Sequence, residues 1–299
     1  MTKAGLCSLA ALSLALWSST AAAFCRTRTC DLGDPAENCE IVAGCIVSGL
    51  PLYWPSRCVS FGVQEQGSPL RGISYEQTRQ VVIDGFLQWQ NAPCPDGGQP
   101  SIQIADFGRI TCSQPEYNQT SPNANVVMFR DAWPYTEEDL LPGDTLALTT
   151  VTFNVETGEI YDADIEINSE DAESLAIGEV RPSDIDLHSV LTHEIGHFLG
   201  LSHTSVSGAT MLPSLSEGQT DLATIEADDI AGICTIYPPD RTTTSTSCVP
   251  RHGFSTECAT EETGCCTIAP GARSARTESW ALVLTALGLA LFAARRRLT

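Results

Sequence analysis

The chain has 299 residues and a formal net charge of −21, from 37 Asp and Glu against 16 Lys and Arg. This length allows one substantial domain with additional segments. So negative a charge argues against a nucleic-acid partner, because binding to phosphates needs a surplus of positive charge. We interpret the acidic residues mainly as a soluble surface, because no run of them has the alternating spacing of a calcium-binding loop. Calcium binding and a preference for basic substrates are the alternatives.

The N-terminal sequence predicts export. Lys3 precedes an apolar run from Leu9 to Leu16, and small residues follow up to Ala23, which is the pattern of a secretory signal peptide over residues 1–23. Cleavage after Ala23 removes Cys7 and leaves twelve of the thirteen cysteines in an oxidising compartment. There we expect them to form mainly disulfides.

Residues 24–50 are predicted to form a disulfide-bonded N-terminal cap, and its cysteines are Cys25, Cys30, Cys39 and Cys45. Ordinary disulfides are favoured here, and a cap thiolate that acts as a metal ligand is the alternative. Spacing does not determine the pairing. Farther along the chain, Cys94 with Cys112 and Cys58 with Cys234 are candidate pairs.

The next elements are one helix and several strands. Ser74 and Gln77 form a capping-box sequence, which predicts the start of a helix that extends to about Asn91. The apolar face of this helix comprises Tyr75, Val82, Phe86 and Trp89. Strands are predicted at residues 57–64, 101–107, 125–130, 146–155 and 159–168.

The last of these strands alternates between polar and apolar residues. Asp162, Asp164 and Glu166 fall on one face, which we expect to be exposed to water. A calcium site at Asp162 and Asp164 is the less favoured interpretation.

A motif in the second half of the chain indicates a metal site. The sequence from His193 to His203 reads H-E-x-x-H-x-x-G-x-x-H. His193 and His197 are one helical turn apart, so their imidazoles can bind one zinc ion. Gly200 allows the chain to leave the helix, and His203 can then supply a third ligand. Three protein ligands leave the fourth position for water, as in catalytic zinc sites.

The residues inside and before the motif support this interpretation. Glu194 lies beside the ligand face, where its carboxylate can reach a water molecule on the metal without being a ligand. Ser183 or Asp184 is the expected N-cap of the helix. The apolar stripe expected to pack against the protein consists of Leu187, Leu191, Ile195 and Phe198.

Two features follow the motif. Met211 is predicted to lie in a tight turn beneath the zinc ligands. Thr224 is expected to cap a further helix that extends to Tyr237, with acids including Asp228 and Asp229 in its first turn, where they complement the helix dipole.

The sequence resembles the metzincin metallopeptidases, and among them the matrixin branch in its compact bacterial form. The resemblance covers roughly residues 51–239 and rests on the motif from His193 to His203, on Thr210-Met211-Leu212-Pro213 and on the segment from Asp228 to Pro238. The chain departs from the family in having no cysteine-switch segment. The histidines of the family's second, structural zinc are also missing.

The resemblance implies an α+β fold. A five-stranded, mixed and mostly parallel sheet with two long helices would form an upper subdomain, and a small lower subdomain would hold one C-terminal helix. The substrate cleft would run between them, and an extended protein or peptide substrate would pair with the edge strand. Residues 51–239 would thus form the catalytic domain, expected to be a monomer.

The chain changes character after Pro239. We assign residues 240–278 to a Thr/Ser linker with a cysteine-containing polar tail, and residues 279–299 to an apolar helix with an arginine cluster. This order resembles a C-terminal surface-sorting signal of the myxobacterial type, and a simple membrane anchor is the alternative. Either one places the protein at or outside the cell envelope.

Together these features predict a secreted or cell-surface zinc endopeptidase. Zn²⁺ is held by His193, His197 and His203, and Glu194 acts as the general base toward water. Ca²⁺ is a further candidate ion. The alternative function is a non-catalytic, zinc-containing surface adhesin, against which the intact Glu194 argues. Zinc-dependent hydrolysis of a non-peptide bond is a third hypothesis.

Overall fold

The computed structural model describes residues 24–30, 32, 37–135, 145–172, 174–243 and 245–259. The predicted signal peptide and the predicted apolar C-terminal helix lie outside the described residues. Within the described ranges, no helix combines the length and the apolar character that crossing a membrane requires.

The described residues form eleven strands and three α-helices. In chain order they are β1 (Cys25–Arg26), β2 (Ile41–Val42), β3 (Cys45–Ile46), β4 (Cys58–Gln64), α1 (Tyr75–Gln90), β5 (Gln103–Ile110), β6 (Val126–Arg130), β7 (Ala147–Phe153), β8 (Ile160–Asn168), β9 (Leu175–Ala176), β10 (Ile185–Asp186), α2 (Leu187–Phe198), β11 (Leu201–Ser202) and α3 (Ala227–Ile236).

The five long strands form one sheet in the order β5-β4-β6-β8-β7. Neighbouring strands are parallel except β7, which runs antiparallel to β8 at one edge. A tight turn causes this reversal, and the N–H group of Asn154 closes it on the carbonyl of Glu159 at 2.9 Å. The prediction of a five-stranded, mixed and mostly parallel sheet is confirmed.

Helices α1 and α2 pack together against one face of the sheet. The capping box predicted at Ser74 and Gln77 is present, and the predicted apolar face of α1 is buried. Trp89 is fully buried, and its indole N–H group donates to the carbonyl of Thr192 in α2 at 2.9 Å. This contact fixes α1 against the helix that carries the zinc motif.

The opposite face of the sheet is also covered, so the predicted exposure of the acidic face of β8 is wrong. Asp162 and Asp164 are each 2% exposed, and Glu166 is fully buried. Asp164 accepts hydrogen bonds from the backbone N–H groups of Glu116 and Val126, at 3.0 and 2.7 Å. The alternating pattern distinguishes the two faces of a strand, but it does not reveal what packs on each face.

Burial changes the protonation of these neighbouring carboxyl groups. Burial, followed by the charge of Asp164, raises the pKa of Asp162 well above its usual value. Burial likewise raises the pKa of Asp164, although two backbone hydrogen bonds oppose the rise. A proton shared by the pair neutralises one charge without a cation. Among the described residues, no third carboxylate completes a metal cluster with them, so calcium stays a prediction.

A C-terminal segment, residues 245–258, lies on the same face. The carbonyl of Ser245 accepts from the N–H group of Arg57 at 3.0 Å, and the carbonyl of Thr256 accepts from that of Cys112 at 3.0 Å. Two disulfides, Cys58–Cys248 and Cys112–Cys258, attach the segment to the sheet. The ordered fold therefore continues beyond residue 240, where the sequence suggests a linker. The predicted domain limits stay predictions.

The disulfides of the N-terminal cap agree with the expectation from sequence. Cys25 pairs with Cys45 and Cys30 pairs with Cys39. All four cap cysteines are thus oxidised, and the cap offers no thiolate to a metal ion.

The candidate disulfides outside the cap are wrong. Cys94 pairs with Cys234 instead of Cys112, and Cys58 and Cys112 pair with cysteines of the C-terminal segment. These partners are 140 to 190 residues apart. Such long-range pairing is a product of the fold and has no signature in the local spacing of cysteines.

Candidate metal centre

Helix α2 carries the first two histidines of the motif, and Asp186 sets its start. The Asp186 carboxylate accepts hydrogen bonds from the backbone N–H groups of His188 and Ser189, at 3.3 and 3.0 Å. The predicted N-caps, Ser183 and Asp184, are wrong. The chain is still extended at 185–186, because β10 pairs with β9 there.

Gly200 ends the helical region and redirects the chain. Its φ angle is +96°, and a Cβ atom at this position would lie 2.8 Å from the carbonyl oxygen of Leu52. Glycine alone tolerates both conditions. The chain then forms β11, and His203 follows directly. This reversal returns His203 to the two histidines of α2.

The three imidazoles converge on one point. Their Nε2 atoms are 3.1 Å apart for His193 and His203, 3.1 Å for His193 and His197, and 3.3 Å for His197 and His203. Nitrogen atoms that bind one tetrahedral zinc ion at about 2.0–2.1 Å lie about 3.3–3.4 Å from one another. The triangle therefore has nearly the size that zinc requires.

Hydrogen bonds on the far side of two rings fix their tautomers. His193 Nδ1 is 2.7 Å from the carbonyl oxygen of Thr210, and His197 Nδ1 is 2.9 Å from that of Leu201. Because a carbonyl only accepts, each Nδ1 carries the proton and each Nε2 presents a lone pair. Lone pairs that face each other at 3.1 Å repel unless a cation lies between them. The donor set thus fits a zinc ion.

Burial keeps the three imidazoles neutral. It lowers the pKa of His193 to about 3 and that of His197 to about 4. Burial also lowers the pKa of His203. Metal ions bind the neutral form of histidine, so protons compete for this site only well below neutral pH.

Glu194 is fully buried beside the triad. The hydroxyl of Thr149 in β7 donates to Glu194 Oε2 at 2.6 Å, whereas Oε1 has no hydrogen-bond partner in the described part of the chain. Burial raises the pKa of Glu194 to about 8, against the bond from Thr149, which lowers it. A cation held by the histidines would lower this pKa, because a nearby positive charge favours the carboxylate. Oε1 is the atom that is free to accept a proton.

Met211 packs against α2 next to the histidines. It is 2% exposed, and a Cβ atom at Gly196 would lie 2.2 Å from its Sδ atom. Asp229 in α3 holds this turn, because its carboxylate accepts from the backbone N–H groups of Thr210 and Met211 at 2.8 and 3.1 Å. Since the carbonyl of Thr210 faces His193, α3 is connected to the metal centre.

Sequence patterns place the three histidines, Glu194 and Met211 in one site, and the structure brings them together. The patterns miss Thr149 and Asp229. Asp229 is 1% exposed and accepts a hydrogen bond from the backbone of the turn at Thr210. It therefore fixes this turn, in addition to the predicted interaction with the helix dipole. The predicted N-cap Thr224 is also wrong, because α3 begins at Ala227 with Glu226 as its N-cap.

Comparison with known proteins finds a family match in the region of the metal centre. Residues 138–238 match the family model of matrixin, Peptidase_M10. This part of the chain is similar to a matrixin. The matched range includes α2, the histidine triad and α3, and it is less than half of the chain.

Curated relatives have local similarity. Metalloendoproteinase 1-MMP of Arabidopsis thaliana is 48% identical over 56 residues, and metalloendoproteinase 5-MMP of the same plant is 49% identical over 53 residues. Matrilysin of Mus musculus is 48% identical over 46 residues. The alignments cover 19%, 18% and 15% of this chain, and 15%, 14% and 17% of the relatives, respectively. The chain thus spans only a small part of each relative, and the similarity supports a metzincin-like domain.

Proposed function

We propose that the chain is a zinc-dependent endopeptidase. The observation that carries this proposal is the convergence of three neutral imidazoles beside a buried carboxylate with one free oxygen atom. Three protein ligands with an open position are typical of catalytic zinc sites, whereas structural sites have four. The matrixin match over residues 138–238 and the local similarity to metalloendoproteinases support the proposal.

In the proposed mechanism, Glu194 moves the proton. A zinc ion bound by the triad would lower the pKa of water and polarise the scissile carbonyl. Glu194 Oε1 accepts the proton of the attacking water, while Oε2 keeps its bond to Thr149. The protonated carboxyl group then donates this proton to the leaving amine as the peptide bond breaks. Burial favours the protonated form of Glu194, which suits a carboxyl group that must hold a proton between the two steps.

We further propose that β7 binds the substrate backbone. Among the strands of the described sheet, β7 pairs with β8 alone, so its other edge offers N–H and C=O groups. Thr149 belongs to β7, and a peptide that pairs with this edge therefore lies near Glu194. Strand addition requires an extended peptide, which favours unfolded or flexible protein segments as substrates.

We also propose that the protein acts at or outside the cell envelope. Five disulfides in the described residues suit an oxidising compartment. The predicted signal peptide at residues 1–23 and the predicted sorting or anchoring helix at residues 279–299 lie outside the described residues. Both stay predictions, together with the bacterial branch of the family.

The adhesin alternative has less support. A binding protein gains nothing from a carboxyl group buried beside the histidines with one unpartnered oxygen, because that burial costs free energy. A general base, in contrast, needs an unpartnered carboxylate oxygen to accept the proton of water.

The test is cleavage of an unfolded protein by the full chain, produced with its disulfides formed. We expect fragments from the zinc-loaded protein, loss of cleavage after chelation and recovery when zinc is returned. A chain that binds zinc but cuts no peptide substrate would contradict the proposal and favour the adhesin.

Replacement of Thr149 by Val should lower kcat about 10-fold and leave zinc affinity unchanged. The substitution removes the donor to Glu194 Oε2, and a hydrogen bond to a charged group contributes roughly 1.5–3 kcal/mol. Thr149→Ser keeps the hydroxyl and should retain most of the activity. Steady-state cleavage of a fluorogenic peptide provides kcat.

Thr150→Val is a matched control for this substitution. Thr150 is adjacent in β7, and its buried hydroxyl has no hydrogen-bond partner in the described residues. Its replacement should leave kcat unchanged. Equal losses in the two Val variants would show that strand packing, and not the bond to Glu194, matters.

A further inference from the structure

The N-terminal cap contacts the backbone that joins the second and third histidines. In the pairing of β1 with β11, Cys25 lies opposite Ser202 and Arg26 lies opposite Leu201. The N–H group of Thr27 donates to the carbonyl of Gly200 at 3.0 Å. Residues 25–27 therefore hold residues 200–202, the connection between His197 and His203.

Thr27 adds a bond from its side chain. It is 5% exposed, and its hydroxyl donates to the carbonyl of Leu201 at 2.8 Å. The same carbonyl oxygen lies 2.9 Å from His197 Nδ1. A carbonyl oxygen has two lone pairs, and these two donors occupy both. The Thr27 hydroxyl therefore restricts the orientation of the Leu201 carbonyl relative to the His197 ring.

We propose that Thr27 is a positioning residue of the metal centre, which orients the His197 ring through the carbonyl of Leu201. The inference rests on the proposed zinc function. The cap then serves the site as well as the fold, although it lies outside the range that matches the matrixin family.

The segment that carries Thr27, directly after β1, is itself fixed. The disulfide Cys25–Cys45 holds β1, and the N–H group of Leu52 donates to the carbonyl of Thr27 at 2.9 Å. The hydroxyl is thus attached to backbone that is held on both sides. A fixed partner of this kind orients a ligating histidine and increases its basicity, and loss of such partners typically lowers metal affinity by about 10- to 100-fold.

The test compares zinc affinity in full-chain variants by competition with a chromophoric chelator. We expect Thr27→Val to lower affinity about 10-fold, the smaller end of that range, because the hydroxyl acts through a carbonyl. Thr27→Ser keeps the donor and should restore wild-type affinity. The visible spectrum of the cobalt-substituted protein should change in Thr27→Val and not in Thr27→Ser, because it reports ligand geometry.

Thr78→Val is a matched control for general destabilisation. Thr78 in α1 is fully buried, and its hydroxyl donates to the carbonyl of Ser74, the N-cap residue of that helix, instead of to a residue of the motif from His193 to His203. This variant should keep wild-type zinc affinity even if its melting temperature falls. If Thr27→Val does not fold, Thr27→Ala replaces it in the comparison with Thr27→Ser.

The outcomes separate this inference from the function on which it rests. A wild-type chain that binds no zinc overturns the zinc function itself. Tight zinc binding by the wild type with unchanged affinity in Thr27→Val overturns only the role of Thr27. Equal losses in Thr27→Ser and Thr27→Val also overturn it, because the hydroxyl would then be irrelevant.

Discussion

Glu194→Gln should remove nearly all cleavage of peptide bonds while the protein keeps its zinc. Gln has the shape of Glu and can still accept the hydrogen bond from Thr149, but its amide cannot take a proton from water. General acid–base catalysis contributes about 10²- to 10⁴-fold to a rate, and we expect a loss near the upper end because one carboxyl group serves two proton transfers. Measurement of kcat together with zinc content checks this result.

Two comparisons make the Glu194 result specific. Glu194→Ala should lose as much activity as Glu194→Gln, and Glu76→Gln, at a side chain that is 69% exposed, should lose none. Cleavage at near wild-type rate by zinc-loaded Glu194→Gln would eliminate Glu194 as the base.

Glu194→Gln should also change how the stability of the zinc-free protein depends on pH. Burial raises the folded-state pKa of Glu194 to about 8, above its usual value of 4.5. Glu194 therefore loses its proton at lower pH in the unfolded chain than in the folded chain, and the contribution of this residue to wild-type stability falls as pH rises from 4.5 to 8. Glu194→Gln removes this pH-dependent contribution to stability, because glutamine has no proton to lose in this range. Its melting temperature should exceed that of the wild type by a margin that grows over this pH range.

The ligands of the candidate site could be predicted because their geometry is local. One helical turn separates His193 from His197, and Gly200 permits the reversal that returns His203. The apolar periodicity of α1 and the strand patterns are local in the same sense. For these features, the sequence contains every residue that the argument needs within a short window.

The groups that hold the ligands could not be predicted in this way. Thr149 bonds to Glu194 across 45 positions, and Thr27 bonds to Leu201 across 174. Threonines are common in strands, and nothing local marks one as the partner of a buried carboxylate. These contacts exist only after the sheet, the cap and α2 have assembled.

The acidic face of β8 illustrates the same limit. Alternation places Asp162 and Asp164 on one face correctly, but a segment far along the chain helps to cover that side of the sheet. Cys248 and Cys258 attach this segment by disulfides to Cys58 and Cys112. A prediction from the strand alone therefore treats a buried face as a solvated one.

Asp229→Ala should destabilise the protein by about 3 kcal/mol and weaken zinc binding. The carboxylate of Asp229 accepts from three backbone N–H groups, those of Thr210, Met211 and Glu226, and each buried donor left without a partner costs about 1–3 kcal/mol. Burial raises the pKa of Asp229 despite these bonds, which shows that part of their contribution offsets desolvation, so we expect the lower end of the summed range. Unfolding by urea measures the loss.

The effect on zinc follows from the carbonyl of Thr210, which lies 2.7 Å from His193 Nδ1. A turn released from Asp229 no longer fixes that carbonyl, and the His193 ring loses its orientation. Asp228→Ala is the matched control, because Asp228 lies in the same helical turn and shares the interaction with the helix dipole, worth about 0.3–1 kcal/mol. Equal destabilisation by the two substitutions would mean that the helix dipole, and not the bonds to the turn, explains the role of Asp229. Loss of stability with unchanged zinc affinity would instead separate the turn from the metal centre.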